Sequence, residues 1–149
     1  MRREVTTSHR AGFKMGKQTV KAGVLYFALV FGTGFVLGLI RTLWVLPKVG
    51  PRIAELMEMP IMFVVIVLAA RWVVRHFSSA HALSIGLMAL GFLLFAELAV
   101  AFWFRHLTPA EYIASRDPVA GTVYALLLGV FAIMPALLAR RQAAWRAES

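Results

Sequence analysis

Four long apolar segments constrain the fold of this sequence more than any other feature. Each has about 20 to 25 residues, enough at 1.5 Å per residue to cross a hydrocarbon layer of about 30 Å. Because such a layer offers no water to backbone N–H and C=O groups, each segment must satisfy its own groups by forming a helix. The sequence therefore predicts an all-α, single-domain fold, an integral membrane four-helix bundle. The predicted spans are residues 22–46, 52–74, 82–104 and 119–139.

The composition agrees with a membrane protein. Hydrophobic residues make up 60% of the chain and charged residues 15%, against about half and about a quarter in soluble domains. The predicted soluble parts are a basic head (1–21), an outer loop (105–118) and a tail (140–149), each too short for a separate domain. The sequence has no cysteine, which excludes disulfides and thiolate metal sites, and no cofactor is expected.

The basic residues predict how the chain is oriented. Of the 16 Lys and Arg residues, 11 fall on the side of the two termini and 5 on the opposite side. By the positive-inside rule, both termini are expected in the cytoplasm, with the spans in a bacterial inner membrane. Tryptophans meet lipid headgroups at helix ends, and all four lie near predicted ends: Trp44, Trp72, Trp103 and Trp145.

The net charge of +9 is explained by lipid rather than by nucleic acid. The bases lie beside apolar segments, where they fix topology and attract anionic headgroups. Arg71 and Arg75 are four residues apart on one helix face at the inner turn, and we expect them to contact lipid headgroups.

Proline and threonine positions predict helix boundaries and bends. Pro51 follows a glycine and suits the first position of the second span. Pro60 and Pro135 lie inside spans, where each removes a backbone donor and is expected to kink the helix. In the outer loop, Thr108 followed by proline and then Glu111 predicts the start of a short helix.

Small residues recur at a spacing of four along two spans. Gly34 and Gly38 form a GxxxG pattern. Gly121, Ala125 and Gly129 repeat it in the fourth span, and Ala132 and Ala136 continue that face. Such stripes let helix backbones approach closely. They favour ordinary packing within one bundle, with a homodimer face as the alternative.

Four charged residues are predicted within the membrane. Arg41, Glu55, Glu58 and Glu97 come from three spans, yet each lies about 20 to 28 Å above the inner boundary at 1.5 Å per residue. Because an isolated charge at mid-membrane costs at least about 2.5–3.5 kcal/mol, the four are expected to form one buried polar cluster.

Two interpretations of this cluster stay open. Arg41 and the glutamates could hold helices together, or they could bind a proton or cation reached from the outer face. Glu97 is the candidate to take up a proton, because its own span has no other charge. Glu55-x-x-Glu58 is similar to the acidic half of the iron-permease motif, but Ala54 stands where that motif has arginine, and no metal is expected.

The stretch GFVLGLIRTLWVLPKVGPRIAELMEMPIM, residues 34–62, resembles small uncharacterised four-helix bacterial inner-membrane proteins. The resemblance implies the same architecture and makes Arg41, Glu55, Glu58 and Pro60 a unit, but it implies no activity. Small multidrug-resistance transporters also have four short helices and a membrane glutamate. They carry it in the first span, where this chain has Arg41, so that family is not assigned.

The sequence lacks a nucleophile–base pair or a glycine-rich phosphate loop, so no enzyme is expected. It predicts an accessory, assembly or structural component of the membrane, with the lipid bilayer and either a second copy or other membrane helices as partners. The alternative is a small proton- or cation-coupled transporter or channel.

Overall fold

A computed structural model describes most of the chain as helix. It describes residues 2–77, 81–106, 108–114 and 117–148, with side chains from residue 16 onward except at 104, 105, 109, 112 and 113. Every regular element in these ranges is helical, which confirms the predicted all-α fold. The elements are α1 (Arg2–Ile40), a π turn (Arg41–Val45), α2 (Leu46–His76), α3 (Ala82–Arg105), α4 (Pro109–Ala114) and α5 (Pro118–Glu148).

Three helical segments, rather than the predicted four, are long and apolar enough to cross a membrane. They are Gly16–His76, Ala82–Trp103 and Pro118–Glu148. The first two predicted spans merge because residues 41–49 stay helical, and α5 likewise continues through the predicted tail. The turn expected before Pro51, at residues 49–51, is confirmed as a break in helical torsion angles at Gly50.

Gly50 reverses the direction of the chain. Its φ of 79° and ψ of 168° lie where a Cβ would clash, so glycine suits this position. Two contacts show that α1 and α2 run side by side: the face of Gly34 lies against Met62, and Arg41 pairs with Glu58. Gly50 is close to the sequence midpoint of both pairs, so the 61-residue segment Gly16–His76 is a helical hairpin.

The helices pack in a ring. α1 packs on α2 and α3, and α5 packs on the same two helices. One end of the bundle, the Gly50 end, holds the Gly50 reversal and the contact of Arg52 with Asp117. At the opposite end, the Val74 end, Val74, Ala82 and Ala139 pack together beside the α2–α3 connection.

The π turn accommodates Pro47. The backbone N–H of Leu46 bonds to the carbonyl of Arg41, five residues earlier, so this turn is wider than an α-helical one. Pro47 has no N–H to donate, and in an α-helix its ring would clash with the carbonyl four residues before it. The wide turn relieves that clash and sets the position of Arg41, its first residue.

Pro135 is accommodated by a hydrogen bond from another helix. Pro135 cannot donate to the carbonyl of Phe131, four residues earlier. The hydroxyl of Tyr26, in α1, donates to that carbonyl oxygen at 3.0 Å, and the two rings stack at 4.5 Å. All three residues are buried. Pro60 and Pro135 both lie within helices, and the kinks predicted at these two prolines stay predictions; the non-helical torsion angles in α2 fall at Gly50.

A tight helix approach joins Gly86, which is outside the predicted small-residue stripes, to Ala132, which continues the predicted stripe of α5. A Cβ built on Gly86 of α3 would lie 2.8 Å from the carbonyl carbon of Ala132 in α5, a distance side chains do not tolerate. By contrast, a Cβ on Gly38 or Gly129 would meet nothing within 4 Å, and Ala125 is exposed. Ala125 and Gly129 therefore face outward, whereas Gly34 packs against Met62, and the packing role expected for the stripes stays a prediction.

Candidate functional site

Arg41 faces two carboxylates of α2. Its Nη1 lies 3.7 Å from Oε1 of Glu55, and its Nε lies 3.3 Å from Oε2 of Glu58. The π turn presents Arg41 from one arm of the hairpin, and the spacing of three places both glutamates on one face of the other arm. The three side chains are 28%, 24% and 16% exposed, so they are mostly withdrawn from the surface yet still reachable.

The hydrogen bonding of this triad is incomplete within the described chain. Nε of Arg41 and Oε2 of Glu55 are buried atoms without a hydrogen-bond partner there. Nε attracts Glu58 by charge, but the approach lacks hydrogen-bond geometry. With all three groups ionised, the triad carries one surplus negative charge and a carboxylate oxygen that can accept a proton or hold a cation.

Glu97 belongs to a second polar pair. The hydroxyl of Tyr124, in α5, donates a hydrogen bond to the carboxylate of Glu97, in α3, and both side chains are partly buried. The sequence predicted Glu97 as a member of the Arg41 cluster, whereas the structure gives it a phenol partner. Tyr124 lies in an otherwise apolar span, where a tyrosine usually packs in the core, so only its depth could have indicated this role.

Both pairs lie at a similar distance from the Gly50 end. Arg41 and Glu58 are each about two helical turns from Gly50, Glu97 is about two turns before the end of α3, and Tyr124 is about two turns into α5. At 1.5 Å per residue, this is about 12 Å inside the bundle. The hairpin, α3 and α5 therefore all contribute side chains to one level of the bundle. We call these side chains the polar layer: Arg41, Glu55, Glu58, Glu97 and Tyr124.

An ion pair between Arg52 and Asp117 lies at the Gly50 end, nearer to that end than the polar layer. Nη2 of Arg52 lies 2.8 Å from Oδ2 of Asp117. The other oxygen of Asp117 accepts hydrogen bonds from the backbone N–H groups of Val119 and Ala120, each at 3.0 Å, and so caps α5. The hydrogen bond from Arg52, and then the one from Ala120, lower the pKa of Asp117. An aspartate followed by a proline and apolar residues is typical of a helix start, so the cap by Asp117 could have been predicted from the sequence. The ion pair could not, because Arg52 is 65 residues from Asp117.

The short helix predicted in the outer loop is confirmed. Thr108 and Glu111 form a capping box at the start of α4. The carboxylate of Glu111 accepts hydrogen bonds from the backbone N–H and the hydroxyl of Thr108, both at 2.8 Å, and Thr108 Oγ1 accepts one from the N–H of Glu111 at 3.3 Å. The backbone hydrogen bond from Thr108, followed by that from its hydroxyl, lowers the pKa of Glu111.

The remaining predicted residues lie apart from the polar layer. Arg71 and Arg75 are exposed in the last turns of α2, near the Val74 end. In the part of the chain that the structure describes, no three His, Asp or Glu side chains come close enough to hold a metal ion.

The fold and the polar layer define a class of protein, an all-helical chain with helices long and apolar enough to span a membrane. No protein-family model, curated protein or solved structure matches the sequence.

Proposed function

We propose that the chain is a multi-pass protein of a bacterial inner membrane that crosses the bilayer four times, with both termini cytoplasmic. The hairpin supports two crossings by Gly16–His76, since its two arms run in opposite directions from Gly50. The excess of Lys and Arg toward the Val74 end supports the orientation. Exposed tryptophans near both ends support an interfacial position: Trp44 and Trp103 near the Gly50 end, and Trp72 and Trp145 near the Val74 end.

Within this topology, the polar layer binds a proton or a small cation, as in a small coupled transporter or channel. The observation that carries this proposal is the sharing of one guanidinium, that of Arg41, by the carboxylates of Glu55 and Glu58. A surplus negative charge is costly in a medium of low dielectric constant. Uptake of a proton or cation removes that cost.

The chemistry of the layer favours binding over catalysis. Carboxylates, a guanidinium and a phenol can exchange protons or coordinate a hard cation through oxygen. Partial exposure of the Arg41, Glu55 and Glu58 side chains provides access. The Glu97–Tyr124 pair supplies a further carboxylate in the same layer.

The test is ion flux into liposomes that contain the purified full-length protein and an entrapped pH-sensitive dye. With an imposed proton or sodium gradient, the wild type is expected to give flux above that of empty liposomes. Glu58→Gln keeps the shape of the side chain but removes its charge, and it is expected to abolish most of the flux. Glu111→Gln, which changes an exposed glutamate in α4, is the matched control and is expected to behave as the wild type. Equal flux in the wild type and Glu58→Gln rules the proposal out.

A second function, that of an accessory or assembly component, is favoured by the outward face of α5. Ala125 and Gly129 are exposed there, and small residues allow another helix to approach closely. Gly129→Leu is then expected to dissociate a homodimer or partner complex in mild detergent. Gly91→Leu, at another exposed glycine with nothing within 4 Å of a Cβ, is the control. A wild type that is monomeric and isolated without partners removes this candidate.

A further inference from the structure

The half of α2 nearer the Val74 end carries an exposed stripe of side chains, which are apolar at first and basic in the last turns of the helix. Val64, Leu68, Arg71 and Arg75 follow one another at spacings of three and four, which places them along one helix face. Val64 and Leu68 are 53% and 60% exposed, and both arginines are exposed. The exposed apolar side chains of α2 are therefore followed directly, on the same face, by two guanidinium groups at the Val74 end.

Trp72 lies at the boundary between the apolar and basic parts of the stripe. It is four residues after Leu68 and remains 43% exposed. The ring of His76 packs against the indole with ring centroids 4.6 Å apart, and His76 Nδ1 donates to the carbonyl oxygen of Trp72 at 2.8 Å. His76 thus packs against an indole that lies beside both arginines, and tryptophan is a side chain that commonly meets lipid headgroups at helix ends.

We infer that this stripe is a binding site for an anionic phospholipid, such as phosphatidylglycerol. The paired arginines would bind the phosphate, because guanidinium groups donate several hydrogen bonds in a geometry that suits phosphate oxygens. Val64 and Leu68 would contact the first part of an acyl chain. A phospholipid joins a phosphate to a hydrocarbon chain at the same boundary, which a free phosphate or a nucleic acid does not.

The charge around the stripe supports an anionic rather than a zwitterionic lipid. Three further basic side chains are exposed near the Val74 end: Lys21, Arg140 and Arg141. Among the described residues near this end, the exposed acidic side chain is that of Glu148. Each base near a membrane surface contributes about 1 kcal/mol to the attraction of anionic lipid, a factor of roughly five in affinity.

The test measures the preference of the full-length protein for spin-labelled phosphatidylglycerol over spin-labelled phosphatidylcholine in bilayers. The readout is the fraction of each label that the protein immobilises. Wild type is expected to prefer the anionic lipid, and Arg71→Gln/Arg75→Gln is expected to lower that preference by roughly fivefold for each arginine removed. Immobilisation of the zwitterionic label, which should not change, checks that the variant is folded.

The matched control is Arg140→Gln/Arg141→Gln, which removes two exposed arginines of α5 at the same end. It is expected to reduce the preference much less than the α2 pair. An equal loss in both double variants would show a diffuse surface attraction and would overturn the site. Loss of the preference in excess inorganic phosphate would assign the arginines to free phosphate instead, and a wild type without any preference would also contradict the inference.

Discussion

The hydroxyl of Tyr26 donates to the carbonyl oxygen of Phe131 at 3.0 Å and so joins α1 to α5 in the buried core. Pro135 leaves this carbonyl free for the hydroxyl, because it lacks the backbone N–H that would otherwise reach it. A side chain of one helix thus completes the hydrogen bonding of another.

Tyr26→Phe is expected to destabilise the protein by about 1 kcal/mol, since it leaves a buried carbonyl without a donor. Pro135→Ala restores an N–H at position 135, so Tyr26→Phe should cost much less in that background. Unfolding in detergent of the wild type, both single variants and the double variant measures the difference. Costs that simply add would show that the tyrosine bond does not replace the missing donor.

Gly86→Ala is expected to destabilise the bundle by about 1–3 kcal/mol, the usual cost of overpacking. The added Cβ would press on the backbone of Ala132, which cannot move without separating α3 from α5. Gly91→Ala, on the same helix with nothing within 4 Å of its Cβ, is the control and should be neutral or stabilising by roughly 0.5–1 kcal/mol. Thermal unfolding in detergent compares the two, and similar stabilities would contradict the close approach.

Arg41→Gln is expected to destabilise the protein by about 1–3 kcal/mol, less than for a fully buried pair because the side chains are partly exposed. The substitution leaves two carboxylates facing each other without a counter-charge. Adding Glu55→Gln and Glu58→Gln to this variant removes that repulsion and should recover much of the loss in unfolding measurements. If the triple variant is no more stable than Arg41→Gln, the three charges do not act as a unit.

Asp117→Asn should destabilise the protein in a pH-dependent way. Because Arg52 lowers the pKa of Asp117 in the folded state, the ionised carboxylate stabilises the fold above its unfolded pKa of about 3.9. That contribution is lost as the pH falls through the lower, folded-state pKa. The difference in melting temperature between wild type and variant should therefore be present at neutral pH and disappear in strong acid. Asparagine can still cap α5, so a difference that persists in acid would point to the cap rather than to the charge.

Depth along the chain was enough to predict which charged residues of the hairpin meet. Arg41 and Glu58 are each about two turns from Gly50 and Glu55 is one turn nearer, so counting residues brings them together. The same counting placed Glu97 at the right level but could not reveal Tyr124 as its partner. Residue counting gives the level of a side chain along the bundle axis. Which side chain it contacts at that level depends on the rotation of each helix about its own axis.

Helix rotation also explains why spacing alone cannot show which small residues pack inside the bundle. Glycine and alanine recur on every face of these helices, so spacing alone does not distinguish Gly86, which contacts α5, from Gly129, which faces outward. The π turn has a similar origin. Pro47 shows that the regular helix is disturbed, but whether the chain breaks or widens depends on the packing around it.

Because the chain reverses at Gly50, Arg41 meets Glu55 and Glu58 within a stretch of 18 residues, 41–58. A nascent chain can therefore bring Arg41 together with Glu55 and Glu58 before α3 has been synthesised. Each of these charges, if it entered a bilayer alone, would cost at least about 2.5–3.5 kcal/mol. In the proposed topology, the hairpin would carry its own counter-charge into the membrane, and α3 and α5 would bring Glu97 together with Tyr124.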